Sequence, residues 1–307
     1  MRDTFVKTLI AEAKKNKDIE LITGDLGFGV LKPFWEQLPN QFTNAGIAEQ
    51  NMTSVAAGMA LEGKKVFTYS IGNFPTLRCL EQIRNDCAYY NADVKVVCVG
   101  GGFSYGPLGM SHQATEDIAI LRALPNVMVF APGDLVEAEE VTKAIANYKG
   151  TCYLRLGRGG EKRIHDKIEN FEIGKAIKVY EGEKVCIFST GAIFEEVQNA
   201  YDVLVENGIN PSIYTFPTIK PIDKEVIINS AKKFDLVVTC EEHSIVGGFG
   251  SAVAEVMSSE TGVKAQLLRI GLDDLYASKI GNQKYLREQY GLSGQEIANQ
   301  IIHSLQK

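Results

Sequence analysis

Short apolar runs alternate with longer amphipathic stretches along the chain. Runs over 19–23, 65–69, 94–99, 127–130 and 151–156 read as strands, and stretches over 3–16, 47–61, 75–90, 115–123 and 134–148 read as helices. The last helix opens with Pro132-Gly133-Asp134, a turn followed by a capping residue. Strands alternating with helices are the pattern of a parallel sheet covered on both faces, so the first half is expected to form one α/β domain.

Over 157–171 the rhythm breaks. Gly157-Arg158-Gly159-Gly160-Glu161-Lys162-Arg163 is rich in glycine and charge and suits a linker, which sets an expected boundary near residue 165. Beyond it the pattern resumes, with strands near 184–189, 211–215, 235–240 and 264–269 and helices near 192–208, 223–232, 248–259 and 294–305. The expected architecture is α/β with two domains, 1–165 and 166–307, each a mainly parallel sheet with helices on both faces. The sequence holds no short internal repeat or low-complexity tract.

The 307 residues are 45% hydrophobic and 23% charged, enough for two domains with separate cores. A formal net charge of −6 provides no overall basic field, which argues against a nucleic-acid partner or binding to an anionic membrane. No run of about 18 apolar residues occurs, so no membrane-spanning helix is expected. Cys79, Cys87, Cys98, Cys152, Cys186 and Cys240 are scattered without a Cys-x-x-Cys pair. They read as buried free thiols in a reducing compartment, and a cytoplasmic location is expected.

Candidate chemistry begins with Glu49. In Ala45-Gly46-Ile47-Ala48-Glu49-Gln50-Asn51-Met52 a carboxylate follows a glycine turn and opens a helix rich in small residues. The Ala and Gly positions that follow, up to Ala60, recur at three- and four-residue spacing, a face that another helix can approach closely. The carboxylate is therefore expected to face a packed seam. On position alone, a first-turn acid that complements the helix dipole is the stronger reading.

Gly24-Asp25-Leu26, the Glu49 segment, Glu81-Gln82-Ile83-Arg84-Asn85 and Ser111-His112-Gln113-Ala114-Thr115-Glu116-Asp117 follow one another in an order that resembles the C-terminal half of transketolases. Pro125-Asn126-Val127, Ala131-Pro132-Gly133-Asp134, Tyr153-Leu154-Arg155-Leu156-Gly157-Arg158 and the run from Glu241 to Gly250 extend the resemblance over nearly all of the chain. Transketolases contain a domain that binds the diphosphate of thiamine diphosphate through Mg²⁺, a domain that binds its aminopyrimidine, and a C-terminal domain. The resemblance covers the last two. The Gly-Asp-Gly motif of the diphosphate domain and its Asn metal ligand are not found, and Gly24-Asp25-Leu26-Gly27 stands at a strand end of the aminopyrimidine domain instead. The resemblance therefore implies the second subunit of a split transketolase. Its partner would be an N-terminal subunit carrying the diphosphate domain and its Mg²⁺, in a dimer or a heterotetramer.

The same resemblance distributes the roles. Glu49 would hydrogen-bond the pyrimidine ring and favour the imino tautomer whose nitrogen takes the thiazolium proton, with the cofactor carrying most of the chemistry. A carboxyl in an apolar seam suits such proton sharing near neutral pH. Phe74, with Tyr69 second, would stack on the aminopyrimidine, and Asp25 would lie at the cofactor. Ile71 stands where a further ring is common in the family. His112, in a glycine-bearing loop after a strand end, would bond the ketose oxygens and assist proton transfer. Arg158 would hold substrate. Each has a structural alternative: Phe74 as a helix-start core residue, His112 as a solvated loop residue, and Arg158 as a linker cation paired with acids such as Glu161. His165, His243 and His303 receive no role, although His243 ends a strand.

The departures from the family pattern bear on substrate. Transketolases acting on sugar phosphates carry an Asp where this chain has Leu108, often a phosphate-binding His at Gly100 and a Ser at Gly29, which leaves Arg158 from the usual set. A phosphate needs several charge-assisted donors to offset its desolvation. The implied reaction is transfer of a two-carbon ketol unit from a ketose to an aldose, one of them a modified, nucleotide-linked or non-phosphorylated sugar. Two alternatives remain: the β subunit of a 2-oxo acid dehydrogenase or a relative of deoxyxylulose phosphate synthase, and a non-catalytic scaffold. His112 in its Ser-His-Gln context favours ketol transfer over the first, and retention of Glu49, Phe74 and His112 argues against the second.

Overall fold

The computed structural model describes residues 1–306. Its first half contains α1 (Arg2–Lys15), β1 (Ile19–Thr23), α2 (Lys32–Gln37), β2 (Phe42–Asn44), α3 (Glu49–Leu61), β3 (Lys65–Ile71), α4 (Leu80–Gln82), β4 (Val94–Val99), α5 (Asp117–Ala123), β5 (Val127–Phe130), α6 (Leu135–Asn147) and β6 (Thr151–Leu156). The second half contains β7 (Ile177–Tyr180), β8 (Val185–Ser189), α7 (Phe194–Glu206), β9 (Ser212–Thr215), β10 (Thr218–Lys220), α8 (Lys224–Lys233), β11 (Leu236–Ser244), α9 (Phe249–Ser258), β12 (Gln266–Leu272), α10 (Gln283–Gln289) and α11 (Gly294–Leu305).

These elements form two sheets. The first runs β10-β5-β6-β4-β3-β1-β2 and the second β12-β11-β8-β9-β7. Both are parallel except at one edge strand each, β10 against β5 and β7 against β9. Every residue of β1, β4, β6 and β8 is buried, as a parallel sheet covered on both faces requires. Alternation along β3 then decides what each helix touches. Val66 packs with Met52, Ala56 and Ala57 of α3, while Phe67 and Tyr69 pack with Phe5 and Leu9 of α1 on the other face.

The second half also completes the first sheet. Thr218 of β10 lies opposite Phe130 and Lys220 opposite Val129, and one core joins Val129 and Ala131 to Phe188, Phe216 and Phe249. The expected helix over 75–90 is interrupted, with a 3₁₀ turn at Leu77–Cys79, then α4, then a π-helical segment at Ile83–Ala88. All six cysteines are free and buried, and burial pushes their thiols up, Cys98 to about 12. Among the described residues, no helix is long and apolar enough to cross a membrane.

A glycine directly follows each of β1, β3, β4 and β6, at Gly24, Gly72, Gly100 and Gly157. Carboxyl ends of parallel strands are where α/β sheets place ligands, and the candidate residues gather there.

Candidate active site

Glu49 is the first residue of α3 and is only 4% exposed. A side chain at Gly24 would meet its Cγ at 3.4 Å, so the carboxylate lies against the end of β1. The seam is not wholly apolar, because Arg78 Nη1 donates to Glu49 Oε2 at 2.9 Å. The guanidinium carbon of Arg78 stands 4.6 Å from the centroid of the Phe74 ring. Phe74 in turn meets the His112 ring edge-on, with centroids 5.2 Å apart and planes at 70°. Glu49, Arg78, Phe74 and His112 thus form one continuous row drawn from three segments of the chain.

Local rules fix each segment. Gly72 sits at φ +50°, and a Cβ there would come within 2.9 Å of the His112 carbonyl, so a side chain would force the two turns apart. Asn73 Nδ2 donates to the Gln113 carbonyl at 2.7 Å, and Thr76 Oγ1 donates back to Gly72 O at 3.2 Å. The 100–114 loop is pinned at its base by Gly102 N to Ala114 O at 2.8 Å and Ala114 N to Gly102 O at 3.2 Å. Glu242 of β11 reaches across and accepts from Phe103 N at 2.6 Å, while Gln283 Nε2 at 2.8 Å and the Arg287 guanidinium hold its carboxylate.

Behind this loop lies a buried polar cluster. Arg155 Nε donates to Asp117 Oδ2 at 2.8 Å, and its Nη2 donates to the carbonyls of Ala114 at 2.8 Å and Glu242 at 2.9 Å. The Tyr153 hydroxyl shares Asp117 Oδ2. His243, fully buried, has Nδ1 bonded to Ser244 O at 2.7 Å, and Nε2 accepts from Ala119 N at 3.4 Å. Burial lowers its ring to about 4, which keeps it neutral despite Asp117 nearby. Glu241 accepts from Phe249 N at 2.7 Å and Gly250 N at 2.8 Å, yet burial raises its carboxyl to about 7. Through the Ala114 and Glu242 carbonyls, Arg155 ties the end of the His112 loop to β11.

The other candidates fall at different distances from it. Asp25, at φ +57°, accepts from Asn44 Nδ2 at 2.8 Å, and Asn44 Oδ1 accepts from Asp25 N at 3.1 Å and Gly46 N at 3.0 Å. Asn44 therefore clips Asp25 to the turn that leads into Glu49. Tyr69 is not brought to the row. It is buried on the α1 face of β3 and stacks on Phe5 with centroids 6.2 Å apart, because strand alternation turns it away from α3. Arg158 is exposed and lies over the Tyr105 ring, 4.9 Å from its centroid, next to the His112 loop but off the row.

Among the described residues, one trio of side chains is close enough to share a metal ion: Asp134, Glu137 and His165. Its ligand atoms are engaged. Asp134 Oδ1 caps α6 through Glu137 N at 2.8 Å, and Oδ2 takes Ile164 N at 2.9 Å and His165 N at 2.8 Å. Glu137 takes Gly133 N at 2.6 Å, the Thr215 hydroxyl, and His165 Nε2 at 2.9 Å. Burial favours the neutral ring of His165, but the bond and charge of Glu137 outweigh it, so the ring titrates above its ordinary value. The trio is a joint between the linker and the second sheet.

Sequence reading missed Arg78, Asn44, Asn73 and Glu242. Arg78 carries a signal, since it lies four residues after Phe74, a spacing that stacks two side chains on one face of a helical turn. Glu242 carries none, because its contact spans 139 residues. A buried carboxylate and an aromatic face, joined by the Arg78 guanidinium at glycine-bearing strand ends, offer the two things an aminopyrimidine needs: a partner for a ring nitrogen and a surface to stack on. The His112 ring is next along the row, edge-on to Phe74.

Residues 1–160 match the family described as transketolase, pyrimidine binding domain, and residues 174–297 match transketolase, C-terminal domain. A protein of Methanocaldococcus jannaschii named as a transketolase C-terminal section is 43% identical, over 100% of this chain and 96% of its own length. The 6-deoxy-6-sulfo-D-fructose transketolase subunit of Clostridium sp. strain MSTE9 is 35% identical, over 97% of this chain and 92% of its own. A solved structure described as a split gene transketolase, inactive beta4 tetramer, superposes with a TM-score of 0.91 at 34% identity, covering 99% of this chain and 98% of that one.

Proposed function

Because the chain belongs to the transketolase family, we propose that it is the pyrimidine-binding subunit of a split transketolase that moves a two-carbon ketol unit between sugars. In this reading residues 1–165 form the thiamine diphosphate pyrimidine-binding domain and 166–307 the transketolase C-terminal domain. The carrying observation is the row in which Arg78 links Glu49 to Phe74 and Phe74 meets His112, which brings the proposed coenzyme contact and the proposed substrate contact together.

Thiamine diphosphate, when bound, supplies a nucleophilic carbon that stabilises the two-carbon unit. The chain's own residues do the rest. Glu49 holds a proton at the pyrimidine nitrogen, Phe74 fixes the ring plane, and Asp25 shapes the floor beside the β1 end. His112 orients the ketose oxygens and relays their protons, and Arg158 reaches toward the outer end of the substrate. Mg²⁺ and the diphosphate belong to the partner subunit. Ile47, two residues before Glu49, and Leu77, next to Arg78, are exposed, as is Val55 further along α3, and these apolar side chains support a partner chain covering this face, in a heterotetramer of two copies of each subunit. Six buried free thiols support a cytoplasmic location.

Of the residues usual at the substrate end, this chain keeps Arg158 and lacks the Asp, His and Ser that Leu108, Gly100 and Gly29 replace. Leu108, within the His112 loop, is 56% exposed, and a side chain at Gly100 would land 2.1 Å from the Tyr105 ring, so no donor fits at Gly100. Relatives named for 6-deoxy-6-sulfo-D-fructose and for apulose 4-phosphate support a modified ketose in place of an ordinary sugar phosphate. The test is ketol transfer by the complex reconstituted with the diphosphate-domain subunit. Turnover of a ketose bearing another terminal group, with xylulose 5-phosphate used poorly, is expected. Efficient use of xylulose 5-phosphate would remove the substrate reading, and decarboxylation of pyruvate would favour a 2-oxo acid dehydrogenase.

A further inference from the structure

Arg78 has no part in the roles above, yet it engages both groups that the proposed pyrimidine contact requires. Its Nη1 bonds Glu49 Oε2 at 2.9 Å, and its guanidinium lies over Phe74, 4.6 Å from the ring centroid. A guanidinium and a pyrimidine both seek the flat face of an aromatic ring and both can donate to a carboxylate. On one face of Phe74 there is room for one of them.

The backbone of Arg78 is fixed while its head is not. Arg78 N donates to Asn73 O at 3.2 Å, and Gln50 Nε2 donates to Arg78 O at 3.1 Å, tying the 3₁₀ turn to both α3 and the Phe74 turn. The side chain is 46% exposed, and among the described residues Nη1 is its one nitrogen bonded to protein. The guanidinium can therefore leave into water without disturbing the turn.

We propose that Arg78 is a positioning residue that stands in for the pyrimidine in the coenzyme-free chain, keeping the buried Glu49 carboxylate paired and the Phe74 face covered, and withdrawing toward solvent on loading. The inference rests on the reading of Glu49 and Phe74 as the pyrimidine contact. A carboxylate as buried as Glu49 is costly without a counter-charge, so the pair protects the site while it waits. The same pair competes with the coenzyme for the site.

Titration calorimetry of thiamine diphosphate against the reconstituted complex tests this. Arg78→Met, which keeps the stem and removes charge and fork, should bind roughly tenfold more tightly, the scale of one partly exposed charge-assisted pair. Arg78→Lys should shift binding the same way by less, and it carries the test if Arg78→Met does not fold. Unchanged or weaker binding overturns the inference, as does a loaded structure with Arg78 still stacked on Phe74 and bonded to Glu49. Glu49→Gln run in parallel separates the two levels. If it weakens binding while the Arg78 variants gain nothing, Arg78 alone has been misread. If it has no effect, the pyrimidine reading fails and takes this inference with it.

Discussion

Asn73 Nδ2 donates to the Gln113 carbonyl at 2.7 Å, and that bond ties the turn presenting Phe74 to the loop presenting His112. The two segments leave different strands, β3 and β4, so the spacing between the proposed coenzyme and substrate contacts depends on this strut and on the close approach at Gly72. Asn73→Ala should cost about 1 kcal/mol of stability, the worth of one hydrogen bond. Its larger effect should fall on kcat, with coenzyme affinity nearly unchanged. Urea unfolding and steady-state kinetics of the reconstituted complex check both, and an equal loss in coenzyme affinity would show that the strut serves the Phe74 side alone.

Gly102 has φ +62°, and a Cβ there would fall 2.3 Å from Glu242 Oε1. Gly102→Ala should both strain the backbone and push Glu242 off Phe103 N, costing about 2–4 kcal/mol in total. Denaturant unfolding measures the loss. A change below about 0.5 kcal/mol, the range of ordinary surface substitutions, would mean that the second sheet does not brace this loop.

Stability should respond to pH through His243 with a definite sign. Burial lowers its ring from 6.5 to about 4, so between those values the unfolded chain binds a proton that the folded chain refuses. Stability present above 6.5 is therefore lost as pH falls through 4, on the order of 3 kcal/mol in all. Glu241, raised from 4.5 to about 7 by burial, runs the other way: its contribution is present below 4.5 and lost as pH rises through 7. The two slopes offset each other in the wild type between 4.5 and 6.5. His243→Gln should gain on wild type as pH falls from 6.5 to 4, and superimposable unfolding profiles would contradict the assignment.

Tyr69→Phe should leave coenzyme affinity within about twofold, because the ring lies on the α1 face against Phe5. Phe74→Ala should weaken coenzyme binding by about 1–2 kcal/mol through loss of the stacking face. Calorimetric titration of the two variants side by side distinguishes the faces of β3, and the reverse ranking would place the pyrimidine on the wrong one here.

What could be read from sequence follows from how local each signal is. The long buried strands and amphipathic helices carry their own period, so β1, β4, β5 and β6 fall where the apolar runs stand. β2, β7 and β10 span three or four residues each and carry none. The pairing of β10 with β5 was also hidden, because it joins segments from opposite sides of the linker. Glu49, Phe74 and His112 were legible as residues at strand ends and helix starts within a family pattern. Tyr69 shares a segment with Phe74 and stands second to it in the sequence pattern, yet the two-residue period of β3 turns it toward Phe5 on the α1 face. Arg78 was hidden inside a stretch read as uninterrupted helix, and the apolar seam expected around Glu49 holds its guanidinium.

In the proposed function, Glu49 shares a proton with the coenzyme's pyrimidine. The most direct measurement is exchange of the thiazolium hydrogen for deuterium in the loaded, reconstituted complex, followed by proton NMR. Glu49→Gln should slow that exchange at least about a hundredfold while the complex stays folded and loaded. Exchange at the wild-type rate in the variant would contradict the account.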